Sequence, residues 1–301
     1  MRMCGRDAAA GHCIEGNALP IDHDYLLNFP FGERTQRYEA KDTILYALGL
    51  GCGDEPGDLS FLYERDLRAL PSMATVLGDP GFWLTDPKLG ADAGKAVHAE
   101  QTIVLHRPLP PAGEVVATNE VDDIVDKGPG RGLLVHISRR LLEKGSGAPL
   151  ATLGQTIMLR GDGGNYPSAA SAAKPEPLPE RAPDIVVSKK TLPQAALIYR
   201  LSGDWNPLHA DPEAADKAGF PAPILHGLCT MGIATRAIVK ACCDNDPARL
   251  ESIGVRFTAP VFPGETLDTE IWRSDLSLQF RCTARERSAV VLNSCTATLR
   301  D

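Results

Sequence analysis

No apolar run in the 301 residues approaches the roughly 18–20 that cross a bilayer, so a membrane-spanning protein is not expected. The opening "MRMCGRDAAAGHCIEG" has no apolar signal core, and the closing "CTATLRD" carries no Ser-Lys-Leu tripeptide. Together these predict a cytoplasmic location. None of the eight cysteines stands in a C-x-x-C pair, and no Cys/His group has zinc spacing. They read as buried or surface thiols in a reducing compartment, with no metal. Positive charge is in deficit: 31 Lys and Arg against 39 Asp and Glu leave a net charge of −8. Nucleic acid, a sheath of phosphates, is therefore not an expected partner, though a few local cations can still hold a small anion. There is no G-x-G-x-x-G after a strand and no P-loop, so neither a dinucleotide nor ATP is indicated. No G-x-S-x-G elbow supplies a serine nucleophile. No cofactor is expected.

With 43% hydrophobic and 23% charged residues, the chain can build a sizeable core. Its sharpest change in composition is "GDGGNYPSAASAAKPEPLPERAPD", rich in Gly, Pro, Ala and Ser and without apolar periodicity. This reads as a linker over 161–184, between a first unit at 1–160 and a second at 185–301.

Each unit repeats one grammar. In the first, "DTILYALGLGCG" predicts a brief helix over 43–50, with Asp42 as N-cap and a stop at Gly51 or Gly53. Four β-like runs follow: "EQTIVLH", "EVVATNEVDDIVD", "GLLVHISRRLLEK" and "PLATLGQTIMLR". In the second, a helical run at 225–243 precedes "SIGVRFTA", "ETLDTEIWRSD", "LSLQFRCTARE" and "AVVLNSCTATLR". "HRPLPPAGEVVAT" and "TAPVFPGETLDT" fall at the same point in this order, strand, Pro-x-x-Pro, Gly-Glu, strand, which marks an internal repeat. The 225–243 run is apolar almost all round, with Arg236 and Lys240 four apart on one face, so it predicts a buried helix. A buried helix followed by four antiparallel strands, present twice, predicts an α+β double hot dog: two antiparallel sheets, each wrapped around a helix, paired as a pseudo-dimer.

Chemistry concentrates in "YRLSGDWNPLHADPEAADKAGFPAPILHGL" (199–228). Gly203 permits unusual backbone angles and Pro207 biases Asn206 toward extended conformation, so 202–209 is an irregular loop. Asp211 can cap a short helix with Pro212 at its first position and Gly219 past its end. Asp204 and His209 lie five apart on one tight loop, where a carboxylate and an imidazole can hold one water between them and share proton transfer. Asn206 can fix the loop. Gly227, at the start of the buried helix, can offer a backbone N–H to an oxygen that becomes negative. Asp and Asn are also common turn formers, so residue types alone leave a purely structural turn open.

"YRLSGDWNPLH", followed by "AD", "AGF" and "ILHGL", resembles the signature of hydratase 2, the MaoC-like (R)-specific enoyl-CoA hydratases. "RFTAPVFPGETL", "HAEQTIVLHRPLPPAGEV" and "VDKGPGRGLL" extend the resemblance over roughly residues 20–300, to the family's long two-repeat form. The resemblance implies a lyase that adds water reversibly and syn to a trans-2-enoyl-CoA, giving the (3R)-3-hydroxyacyl-CoA. It implies Asp204 and His209 as the catalytic dyad, Asn206 as a supporting residue and Gly227 as the thioester-oxygen donor. His98, Lys127 and Phe257 match or approach positions that contact the substrate. The family's His-Gly-Glu-Gln reads His98-Ala99-Glu100-Gln101 here, which puts a backbone contact at Ala99 in doubt. The acyl-CoA would be the only small-molecule partner, with CoA part of the substrate, and a homodimer is the expected assembly. The first unit's weaker helical run implies room for medium, long or bulky acyl chains. The alternatives are a hot-dog acyl-CoA thioesterase, attacking the carbonyl instead of the β-carbon, and a non-catalytic acyl-binding subunit.

Overall fold

The computed structural model describes residues 21–166 and 176–301. The middle of the 161–184 linker therefore lies outside the described residues, as do Cys4 and Cys13. The linker's described ends are held to the body. Gly164 N–H donates to the Asp126 carboxylate at 2.7 Å, and Trp272 Nε1–H to the Arg181 carbonyl at 2.8 Å.

After a first turn α1 (His23–Leu27), the first half runs β1 (Glu33–Tyr38), α2 (Ala40–Gly49), and then β2 (Ala96–Leu105), β3 (Gly113–Asp126), β4 (Leu133–Glu143) and β5 (Pro149–Leu159). The second runs β6 (Ile185–Lys190), the short helices α3 (Ala195–Tyr199) and α4 (Pro212–Lys217), α5 (Gly227–Cys242), and β7 (Leu250–Arg256), β8 (Thr266–Ser274), β9 (Ser277–Ala284) and β10 (Ala289–Leu299). Every strand anticipated from its Val, Ile, Leu and Thr content is present within a few residues. The sheet is one ten-stranded surface, ordered β1-β3-β4-β5-β2-β7-β10-β9-β8-β6. Its halves meet where β2 pairs antiparallel with β7, from Glu100 opposite Arg256 to Val104 opposite Ser252. The pseudo-dimer is thus a single continuous sheet whose two five-stranded halves share backbone hydrogen bonds.

β1 and β6 are absent from the sequence reading. Both are edge strands: β1 is mostly exposed, with Tyr38 buried, and β6 alternates between half-buried and exposed residues, so neither carries the apolar run of a central strand. Asp42 is not the N-cap of α2: Glu39 occupies that position, and Asp42 sits at the third helical residue, its carboxylate accepting the Glu39 N–H at 2.8 Å.

α5 is buried along nearly its whole length, from Cys229 to Val239. Gly232 makes this possible: a Cβ there would stand 2.5 Å from Leu50 Cδ2, so only glycine lets α5 cross the end of α2 so closely. The two charges of α5 reach the first half. Arg236 Nη2 binds Asp58 at 2.6 Å and its guanidinium lies 5.0 Å from the centre of the Phe61 ring, while Lys240 binds Glu55 at 2.5 Å.

The matching of the 42–53 run to the 225–243 helix needs correction. α2 follows β1 as α3 follows β6, so its counterpart is α3. The counterpart of α5 is a buried 3-10 turn, Pro71–Val76, that precedes β2 as α5 precedes β7. Arg139, buried on the inner face of β4, fastens that strap through the carbonyls of Thr75 (2.9 Å) and Leu77 (3.0 Å) and the Asp79 carboxylate (2.6 Å). Six residues of 3-10 turn in place of a sixteen-residue helix leave space. A cavity of about 140 Å³ lies between the strap, α2 and the 201–202 loop, lined by Leu45, Tyr46, Met73, Leu77 and Ser202 among others.

Candidate active site

The 202–211 segment folds through its own short-range polar groups. Gly203 takes φ +132°, a conformation L side chains rarely adopt, and turns the chain out of α3. The Asp204 carboxylate accepts the Asn206 N–H at 3.1 Å, and the Asn206 side chain accepts the Leu208 N–H at 3.0 Å. These successive side-chain turns hold Asn206 and lead into a single 3-10 turn, Pro207–His209. Asp211 then caps α4 through the Glu213 N–H at 2.9 Å, with Pro212 at its first position and Gly219 at φ +83° beyond its end.

His209 is thereby turned inward and buried. Its Nδ1 lies 2.8 Å from the Ile224 carbonyl. A carbonyl only accepts, so Nδ1 carries the proton and Nε2 keeps a free lone pair. Burial pushes the imidazole below its ordinary range, against the Ile224 hydrogen bond and the Asp204 charge, which favour the protonated form. His226, the residue before α5, stacks on His209 with ring centroids 3.7 Å apart and 27° between planes. Burial, and then the neighbouring His209, hold His226 down to about 3.

Asp204, His209 and His226 each offer a ligand atom within 4.8 Å of the others.

Gly227 opens α5, and the first N–H groups of a helix have no partner within it. The Phe257 ring lies directly against this glycine, 3.1 Å from where a Cβ would stand. Phe257 is held by its N–H to the Ala99 carbonyl at 2.9 Å and by a bridge to Leu292. His98 packs on the other side, 4.9 Å from Phe257 between ring centroids, with Nε2 3.1 Å from the Glu100 carbonyl; burial lowers it to about 4. Ala99 interrupts the β2–β5 register between His98 and Glu100, a bulge at which its carbonyl is free to reach β7. The alanine there thus takes part in a backbone bond, to Phe257.

The structure gathers Asp204, Asn206, His209, Gly227, Phe257 and His98 around the start of α5. Lys127 is not among them. It is exposed on the β3–β4 turn, at the end of the sheet where His98 lies, but β4 and β5 separate its strand from β2, a span of about 14 Å at ~4.8 Å per strand. The sequence marks His226 only as the residue leading into Gly227 and the buried helix, and it gives no role to Tyr199, whose ring packs 5.0 Å from that of His226.

Two family profiles match the chain. One, described as MFE-2 hydratase 2 N-terminal domain, matches residues 36–161, and the other, MaoC like domain, matches residues 174–293. An Arabidopsis thaliana protein named Enoyl-CoA hydratase 2, peroxisomal, is 39% identical over 293 residues, covering 90% of this chain and 94% of its own. The 3-hydroxyacyl-thioester dehydratase Y of Mycobacterium tuberculosis is 44% identical, over 78% of this chain and 82% of its own. Among solved structures, a MaoC-like dehydratase from Phytophthora capsici superposes with TM-score 0.82 at 34% identity, covering 93% of this chain and 99% of that one.

Proposed function

Because the chain belongs to the MaoC-like hydratase 2 family, we propose that it is a hydro-lyase adding water reversibly to trans-2-enoyl-CoA thioesters to give (3R)-3-hydroxyacyl-CoA. The observation that carries the mechanism is that Asp204 and His209 offer ligand atoms within 4.8 Å of one another, while His209 Nδ1 is committed to the Ile224 carbonyl and Nε2 is left as an acceptor. The carboxylate and Nε2 are both hydrogen-bond acceptors. A water donating one hydrogen to each is left with an oxygen lone pair directed at substrate. That oxygen bonds to the β-carbon as His209 Nε2 takes one proton, and the Asp204 charge favours the imidazolium so formed. Electrons move from the carbon–carbon double bond to the thioester oxygen, which the Gly227 N–H and the positive end of α5 stabilise. Collapse of the enolate takes the proton from His209 onto the α-carbon. Oxygen and proton arrive from one side, so the addition is syn.

The thioester carbonyl is the electron sink, so these steps call on no further cofactor. Phe257 closes one wall over Gly227, and His98 supports it. Acceptance of medium-length, long or bulky acyl chains is proposed on the short strap that stands where the second half has α5; a strict limit to four-carbon substrates would contradict it. Lys127, exposed on the β3–β4 turn, is proposed as a substrate contact on the family resemblance alone.

The direct test incubates the protein with enoyl-CoAs of increasing chain length, follows loss of the conjugated thioester, resolves the product by chiral analysis and measures free thiol. The hydratase reading predicts (3R)-hydroxyacyl-CoA without thiol release. Stoichiometric thiol release would favour the thioesterase.

No helix among the described residues is long and apolar enough to cross a membrane. We propose a cytoplasmic location; the six described cysteines are free thiols, in keeping with a reducing compartment. Fractionation decides between this and the peroxisome named for the plant relative. The homodimer is proposed on the family resemblance, and light scattering at the mass of one chain would contradict it.

A further inference from the structure

His226 takes no part in the steps above, yet it touches both members of the dyad. It is 1% exposed, and its backbone, not its side chain, serves as the N-cap of α5. Its Nε2 lies 3.2 Å from the Asp204 carbonyl oxygen. That carbonyl can only accept, so Nε2 carries the ring proton. The ring face covers His209 at 3.7 Å, and Tyr199 backs it from 5.0 Å. Tyr199 in turn rests on Tyr46 of α2, ring centroids 5.7 Å apart. A row of four rings thus runs from α2 in the first half to the dyad. Nδ1 of His226 is buried without a hydrogen-bond partner. An apolar ring would fill the same place without that desolvation penalty, so packing alone does not account for an imidazole here.

We propose that His226 is a positioning residue for hydration: its Nε2–H fixes the Asp204 main chain while its ring face fixes the His209 imidazole, so that both acceptors meet one water. This rests on the hydratase reading. Burial keeps His226 neutral, which the arrangement requires, since two stacked imidazolium rings repel.

The test compares His226→Phe, which keeps a stacking ring and loses the donor, with His226→Gln, which keeps a donor of similar reach. His226→Phe is expected to lower kcat about 10²-fold, the scale of a misplacement near 1 Å, with KM for the enoyl-CoA within about twofold of wild type. His226→Gln is expected to recover about tenfold of that loss. A wild-type kcat in His226→Phe overturns the proposal, as does a loss shared equally by KM and melting temperature with Gln no better than Phe. Histidine ¹⁵N NMR of the unaltered protein tests the same claim without a variant. A neutral ring protonated at Nε2 from pH 5 to 8 is expected, and protonation at Nδ1 overturns it. That readout stands even if the protein hydrates no enoyl-CoA, so failure of the hydratase reading and failure of the positioning claim are told apart.

Discussion

Gly227 and Phe257 are fitted to one another: the ring occupies the space a Cβ on Gly227 would need, coming within 3.1 Å of it at Cε1 and 3.2 Å at Cδ1. The absent side chain lets an aromatic wall close over the start of α5, where the proposed mechanism uses the Gly227 N–H. Gly227→Ala must displace Phe257, which is tethered through Ala99 and Leu292 and has little freedom to retreat. Turnover of enoyl-CoA is expected to fall about 10–100-fold, with a stability loss of about 1–3 kcal/mol from overpacking. Steady-state kinetics and thermal melts of Gly227→Ala beside Phe257→Leu and the double variant check this. The smaller ring substitute should restore part of what the methyl removes.

Gly203 offers a contrasting case. No atom stands within 4 Å of its would-be Cβ, so Gly203→Ala meets no clash. It is costly only through backbone strain at φ +132°, about 1–3 kcal/mol. The expected result is a turn that relaxes by moving Asp204, lowering kcat more than KM. Equal melting temperature and equal turnover would show that the angle is dispensable.

Acid should destabilise the protein earlier than carboxylate titration alone would. His98 and His226 are held down to about 4 and about 3, and His209 is also lowered. Below about pH 6.5 the unfolded chain takes up protons at these rings that the folded protein refuses. Stability is therefore full above that pH and falls toward pH 4.5, by up to about 1.4 kcal/mol per pH unit for each histidine. Denaturant unfolding at pH 7.5, 6.0 and 4.5 measures the slope, and His98→Gln should reduce it by one histidine's share.

The Arg236–Asp58 pair joins the halves inside the protein. Burial acts to raise the Asp58 carboxyl, but the Gly53 N–H and Arg236 outweigh it and leave it lowered. Removing one partner strands a buried charge, so Asp58→Leu or Arg236→Met alone should cost about 3–5 kcal/mol. The double variant should recover most of that. Additive losses in a double-mutant cycle would contradict a coupled pair.

Much of this was legible in the chain. Asp204, His209, Asp211, Pro212 and Gly219 stood in one contiguous stretch, and the loop's polar turns and the α4 cap form through local bonds that sequence spacing expresses. The central strands and α5 announced themselves by apolar content. The edge strands β1 and β6 did not, because much of each faces water. The strap at Pro71–Val76 was equally silent: what fixes it is Arg139, more than sixty residues away, and no local pattern shows that contact. The stacking of His226 on His209 and the reach of Phe257 to Gly227 likewise depend on how distant elements close together. Lys127 stands apart from the dyad for a similar reason: its place is set by the strand order, which the local sequence does not show.

The central claim is that Asp204 and His209 jointly activate one water. The most direct measurement is the single-turnover hydration rate of Asp204→Asn, His209→Gln and the double variant on a trans-2-enoyl-CoA, with melting temperature as the check on folding. Each single variant is expected to lose at least about 10³-fold, and the double little more than either alone, because the two act as one unit. Folded single variants that keep near-normal rates, or losses that multiply independently in the double, would contradict the account.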